Sequence, residues 1–420
     1  SKGLEVIQDE YLNIIIKKPA SKGYENAPTL MLQGHMDMVC EKNEGVEHDF
    51  ENDPIKLRIV DGHIYASDTT LGADNGIGVA MALSVLDSDL DHPCLEVLIT
   101  TDEEKGMTGA ANLNGSLFKS KYLLNLDSEE EGVLTSGCAG GSEIDFKIPL
   151  KFKNSKEKAY KLSVKGLSGG HSGVDVGKEK GNAIKILGRI LYDLINDVDL
   201  TSIDGGSKTN AIPREANAVI TIKNIDEVRN KIYKWDEILS NEYAFTDSGV
   251  RVTLTELNKE VYTLESDILS RSTAIDLVIS SNNLGIITTD ENFISLYNHP
   301  RSSVETLLTE DFHPAMKQLG TSLGVDCQIG SQYPGWEYAK ESPIRDICIE
   351  TYKYIFNSEP KVGAIHAGLE CGLLMEKIPG LDAISMGPDA YDAHSPNEHV
   401  SIKSVENVYK FLCEILKRIK

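Results

Sequence analysis

Five places along the chain carry side chains that bind metal ions: His35, Asp74, the pair Glu103 and Glu104, Asp127, and His394. Imidazole nitrogen and carboxylate oxygen suit borderline divalent ions, and a set of this size can hold two of them. His35 follows the apolar run Thr29-Leu30-Met31-Leu32-Gln33, which reads as a strand. Residues i and i+2 of a strand share a face, so Asp37 points the same way as His35 and can orient its imidazole from behind. Taken alone, this triplet also fits a buried histidine beside an unrelated carboxylate.

Asp74 lies in the glycine-punctuated loop Thr69 to Gly76, which runs into an apolar helix from Ile77 to Leu86. An aspartate at such a junction serves as a helix N-cap or as a ligand. Gly76 and Gly78 lack the third glycine of a dinucleotide fingerprint. Leu95 to Thr100 is an apolar strand ending in Asp102-Glu103-Glu104, three adjacent carboxylates that repel one another unless cations or water absorb the charge. Tyr122 to Leu126 is another strand and ends in Asp127. Ligands of open α/β sheets gather at strand ends, so three strands deliver histidine or carboxylate to one edge. Asp382 to Pro388 reads as a further strand and turn, and Ala393 to Glu398 brings His394 ahead of the last helix.

The elements that must position these residues fall into three stretches. From 1 to 138 strands alternate with helical patterns, which implies an α/β fold with a mostly parallel sheet flanked by helices. From 141 to 331 the pattern changes to alternating strands such as Tyr160 to Val164 and Ala218 to Ile222, an inserted α+β domain. From 332 to 420 the chain returns through Tyr333-Pro334-Gly335-Trp336 to βαβ-like sequence and an amphipathic helix, Ser404 to Ile419. At 420 residues two domains are expected. A formal charge of -23 argues against nucleic acid and anionic membrane as partners. The seven cysteines contain no C-x-x-C pair and read as reduced thiols of a cytoplasmic protein. No apolar run has the length needed to span a bilayer.

The segments "GHMDMV", "TTLGADNGIG", "DEEKGM", "NLDSEEEG", "GCAGG", "GGHSG", "NAIPREA", "YPGW", "IHAGLECGL" and "HSPNE" run from one end of the chain to the other. In them the sequence resembles the aminoacyl-histidine dipeptidases, co-catalytic zinc metallopeptidases related to bacterial carnosinases. The resemblance implies a zinc-exopeptidase-like catalytic domain with an inserted lid and dimerisation domain. It implies that Asp74 bridges two zinc ions, that His35 and Asp127 complete one site, and that Glu104 and His394 complete the other. Manganese or cobalt would suit the same donors. Glu103 would be the general base and Asp37 the residue behind His35. His171 would polarise the scissile carbonyl from across a homodimer interface, and Asn210, Arg301 and Gly368 would bind substrate. The planar fork of Arg301 suits a dipeptide carboxylate. The Asp74-Asn75 peptide would be cis. The implied substrate is a small peptide, an Xaa-His dipeptide such as carnosine; a related aminopeptidase or N-acyl amino acid deacylase would use the same ligands. A non-catalytic homologue would show a lost base or ligand, and every position here is filled.

The family also has a helix and strand ahead of "SKGLEVIQDE", so about fifty residues are expected to be missing at the N-terminus, leaving apolar surface where that helix packs. A targeting signal there is left open. Without the resemblance, His171 reads as a turn residue among glycines, since Gly166 to Gly173 lacks the Gly-Lys-Ser/Thr ending of a phosphate loop. His48, His63, His92, His299, His313 and His399 are expected to stand apart from the chemistry, and His366 to lie beside it. Glu129, Glu130 and Glu131 are expected to form a solvated acidic loop.

Overall fold

The structure is a computed structural model. It describes residues 3–43, 45–173, 175, 178–258, 261–265, 282–302, 305–365 and 367–420. His366 lies outside the described residues. The chain divides into two units, Ser1–Cys138 with Tyr333–Lys420, and Ala139–Gln332.

The first unit is built on an eight-stranded sheet in the order Glu5–Gln8, Ile14–Lys18, Leu95–Thr100, Leu30–His35, Tyr122–Asn125, Asp382–Ser385, Val133–Cys138, Lys361–Ile365. The four strands from Leu95–Thr100 to Asp382–Ser385 are mutually parallel. The flanks are not: Ile14–Lys18 runs antiparallel to Leu95–Thr100, and Val133–Cys138 antiparallel to Asp382–Ser385. Glu5–Gln8 and Ile14–Lys18 are joined by a connection too short for a crossover, which makes them an antiparallel hairpin. The sheet is thus parallel at its centre, where the candidate ligands emerge, and mixed at its edges.

Leu30–His35 and Leu95–Thr100 are buried at every position, as strands covered on both faces must be. Alternation along them separates two cores. Leu30, Leu32, Val97 and Ile99 face Met81, Val85, Phe411 and Leu412 of the helices Ala73–Asp87 and Ile402–Arg418. Met31 and Leu98 face Met107, Ala110 and Leu374. The final helix starts at Ser401, whose side chain accepts from Ser404 N, and ends with Lys417 and Arg418, a favourable charge for its C-terminus.

The second unit holds another eight-stranded sheet, ordered Arg251–Leu257, Ala159–Lys165, Ala216–Ile222, Val198–Gly205, Asn282–Thr289, Phe293–Ser302, Gly140–Pro149, Asp326–Tyr333. It is antiparallel from Arg251–Leu257 through Gly140–Pro149. Every second residue, as in Tyr160, Leu162 and Val164, packs against the helices Ala183–Asp193, Ile225–Glu242 and His313–Leu323. Among the described residues no helix is long and apolar enough to cross a membrane.

Candidate metal centre

The C-terminal ends of the central parallel strands bring the candidate ligands together. His35 ends its strand with its imidazole Nε2 3.1 Å from Asp74 Oδ1 and 3.4 Å from Asp127 Oδ1. His394 Nε2 lies 3.2 Å from Asp74 Oδ2 and 3.0 Å from Glu104 Oε2. The two oxygens of Asp74 therefore face two different clusters, His35 with Asp127 and Glu104 with His394. In each cluster the ligand atoms lie within 4.8 Å of one another, close enough to hold one ion apiece. His35, Glu103 and Glu104 form a third grouping of the same tightness. The Asp74-Asn75 peptide is cis. Glu129 and Glu130 belong to none of these groupings among the described residues; Glu130 is exposed, whereas burial together with Asp74 and Asp127 pushes the Glu129 carboxyl up to about 8, so that it borders the cluster rather than standing in open solvent.

Asp37 does more than stand behind His35. His35 Nδ1 is 3.0 Å from the Asp37 main-chain oxygen and 3.6 Å from Asp37 Oδ1, so the carbonyl makes the shorter contact. The carboxylate instead accepts from Glu103 N and Glu104 N, each at 3.2 Å. These amides open the short helix Glu103–Gly106, whose own N-cap, Asp102, has φ 60 and makes no side-chain cap bond. Asp37 fills that vacancy and fixes where both glutamates project.

Glu398 has a comparable part that its sequence neighbourhood did not reveal. It is 2% exposed, and its carboxylate accepts from Leu71 N at 2.7 Å, Gly72 N at 2.9 Å, Ala73 N at 2.7 Å and Asp74 N at 3.3 Å. His394, four residues earlier, adopts φ 64, a left-handed conformation that non-glycine residues enter rarely. The motif "HSPNE" thus contributes both a candidate ligand and the anchor of the loop that presents Asp74.

Five carboxylates, from Asp37, Asp74, Glu103, Glu104 and Asp127, meet two imidazoles here. Burial pulls the two imidazoles down, yet the carboxylates outweigh it: Asp127, Asp37 and Asp74 hold His35 far above its ordinary value. Asp74 and Glu104 push His394 up to about 10. Burial raises Asp74, but the bonds from His35 and His394 dominate and hold it low. Burial, with Asp127 second, raises Glu103 well above its ordinary range, and burial lifts Asp127 to about 6. Glu104 Oε1 is buried without a hydrogen-bond partner, and Asp127 Oδ1 is buried with only the 3.4 Å approach of His35 Nε2. Buried, unpaired carboxylate oxygens are costly unless a cation meets them. Hard and borderline divalent ions fit this donor set.

Residues 31–418 match the Peptidase family M20/M25/M40. The chain belongs to that family. A cytosol non-specific dipeptidase of Escherichia coli (strain K12) is 39% identical to it over 446 residues, covering 100% of this chain and 91% of that protein. The crystal structure of an aminoacylhistidine dipeptidase from Vibrio alginolyticus superposes with a TM-score of 0.78 at 34% identity, covering 100% of this chain and 90% of that one. An M20 family metallo-carboxypeptidase, Sso-CP2 from Sulfolobus solfataricus, shares the fold alone, with a TM-score of 0.52 at 15% identity over 99% of this chain and 90% of that one. This M20 peptidase is a metal-dependent hydrolase of peptide bonds.

Its remaining candidates belong to the second unit, apart from Gly368. Gly170–His171 pairs with Ala211–Ile212, and Ser172 N donates to Asn210 O at 2.9 Å. His171 N donates to Asp175 Oδ2 at 2.9 Å. A Cβ on Gly170 would stand 2.3 Å from that same oxygen, which explains the glycine beside His171. Arg301 is 6% exposed. His299 shares its strand face at i and i+2. Burial, Arg301 and His171 together push His299 down to about 3, so it is neutral and belongs with the other two. His299, expected from the sequence to stand apart from the chemistry, instead lies within electrostatic reach of Arg301 and His171. Gly368, in the first unit, is required by packing: a Cβ there would meet Tyr333 at 2.7 Å and Met107 at 3.1 Å.

Nearby, Glu370 is fully buried and accepts from Thr100 Oγ1 at 2.6 Å and from Gln33 Nε2. Burial pushes it up to about 7. Gln33 in turn accepts from Asn125 Nδ2 at 2.6 Å, and Asn125 Oδ1 accepts from Asp127 N at 3.3 Å. A polar chain beneath the cluster therefore ties the strand ends to Asp127.

Proposed function

We propose that the chain hydrolyses dipeptides in the cytoplasm with two zinc ions, and that dipeptides with C-terminal histidine are among its substrates. The observation that carries this reading is Asp74, whose two oxygens face two separate histidine–carboxylate clusters. His35, Asp127 and one oxygen of Asp74 would hold one ion; Glu104, His394 and the other oxygen would hold the second. Manganese or cobalt would be accepted by the same donors. Such ions, when bound, polarise a carbonyl and lower the pKa of water towards neutrality.

The protein's own groups do the rest. Glu103 takes a proton from the attacking water and passes it to the leaving amine, a task that suits a carboxyl whose surroundings raise its proton affinity. Asp37 holds Glu103 and Glu104 in place through their main-chain amides. His171 polarises the scissile carbonyl, and Asn210 and Arg301 bind the substrate, Arg301 pairing with its carboxylate. Gly368 lines the substrate pocket. The second unit acts as lid and dimerisation domain of a homodimer.

The printed names of the two relatives differ in breadth, one non-specific and one aminoacylhistidine-directed. A release assay over dipeptides including carnosine, tripeptides and N-acyl amino acids settles the preference. Dipeptides should be cleaved, activity should vanish with a chelator, and zinc should restore it. Faster cleavage of tripeptides or N-acyl amino acids would sink the dipeptidase reading.

A further inference from the structure

We propose that Glu398 is a positioning residue that holds the loop around Asp74 in its metal-binding form before any ion arrives. The inference rests on the ligand set above. The amides of Leu71, Gly72, Ala73 and Asp74 lead into the helix Ala73–Asp87, where main-chain N–H groups have no partner within the helix. The residue at the cap position, Gly72, has φ 73 and no side chain to serve them. All four converge on one carboxylate that is 326 residues from Gly72 in sequence. Converging amides of this kind select an anion.

The geometry gives Asp74 two grips from one short segment. Glu398 holds its main chain, while His394 meets its Oδ2. The second grip is weaker, because His394 Nε2 is shared between Asp74 Oδ2 at 3.2 Å and Glu104 Oε2 at 3.0 Å. A main-chain anchor acts whether or not the ions are bound. Both clusters share Asp74, so loosening the anchor weakens both ions together.

The test titrates metal-free protein with zinc against a chromophoric chelator, for wild type, Glu398→Gln and Glu398→Asp. Glu398→Gln replaces one acceptor oxygen with an amide that faces N–H donors. Zinc affinity at both sites should fall about 10- to 100-fold. Glu398→Asp keeps the charge and should retain part of it. A merely structural role lowers the unfolding temperature without moving the zinc affinity of the folded protein; that result overturns the proposal. Should Glu398→Gln fail to fold, hydrogen exchange on metal-free wild type decides. The amides of 71–74 should be protected, and exchange at unprotected rates overturns it. Dipeptide turnover of zinc-loaded wild type, measured in parallel, reports on the function itself.

Discussion

Glu103 and Glu104 are adjacent, chemically identical and differently surrounded. Glu104 Oε2 stands 3.0 Å from His394 Nε2 and shares its cluster with Asp74, whereas Glu103 is enclosed beside Asp127, which with burial raises its proton affinity. Glu104→Ala should therefore lose an ion. Glu103→Ala should keep both and lose turnover by about 10²- to 10⁴-fold, the usual contribution of general base catalysis. Metal analysis beside kcat separates the two, and the opposite pattern would exchange their roles. The grouping of His35 with both glutamates makes this a test with two live outcomes. The candidate ligands could be read from the sequence because His35, Glu103, Glu104 and Asp127 follow apolar strands directly. Glu398 could not, since its four partners are main-chain amides, which no residue letter marks. Asp37 was visible, but its hold on Glu103 N and Glu104 N was not, for the same reason.

Among the elements, the loop that carries His171 depends on a carboxylate from another part of its unit. Asp247 is 3% exposed and accepts from Ser168 N at 2.6 Å, Ser168 Oγ at 2.7 Å and Gly181 N at 2.7 Å. Burial alone would raise this carboxyl, but those bonds outweigh it and hold it below its ordinary value. A group whose folded pKa is depressed stabilises the fold above the unfolded pKa and loses that contribution as pH falls through the folded value. Asp247→Asn should cost about 1.5–3 kcal/mol at pH 7. The deficit should narrow below about pH 4, where the unfolded carboxyl takes up its proton. Thermal unfolding at the two pH values measures it; an equal deficit at both would show that charge is not the source. Elements differ in how openly sequence declares them. The uninterrupted apolar runs Leu30–His35 and Leu95–Thr100 mark buried central strands. The antiparallel flanks were less legible, because a run of residues has no direction until its connection and its neighbour are known. Val133–Cys138 pairs with Asp382–Ser385, a strand that follows it only after the whole second unit.

At the scale of the molecule, the candidate ligands belong to the unit Ser1–Cys138 with Tyr333–Lys420, and His171, Asn210 and Arg301 to the unit Ala139–Gln332. Along the sequence the pattern changes from βα alternation to alternating strands at 141, but residue patterns carry no information on which copy of the second unit serves a given metal cluster. The homodimer reading has His171 reaching the site of the partner subunit. Glu103→Ala and His171→Ala should then each be nearly inactive alone. Mixed under subunit exchange, they form dimers in which one site has its own Glu103 and the other subunit's His171, while the second site lacks both. Random pairing about a two-fold axis makes about half the dimers mixed, so about a quarter of wild-type sites should recover. The measurement is activity against mixing time, with exchange followed independently by a label on one variant. Exchange without recovery, or an active monomer, would place His171 in its own subunit's site or outside the chemistry. Recovery near one quarter would make the dimer itself the catalytic unit, and dilution below its dissociation constant should then abolish turnover while both ions stay bound.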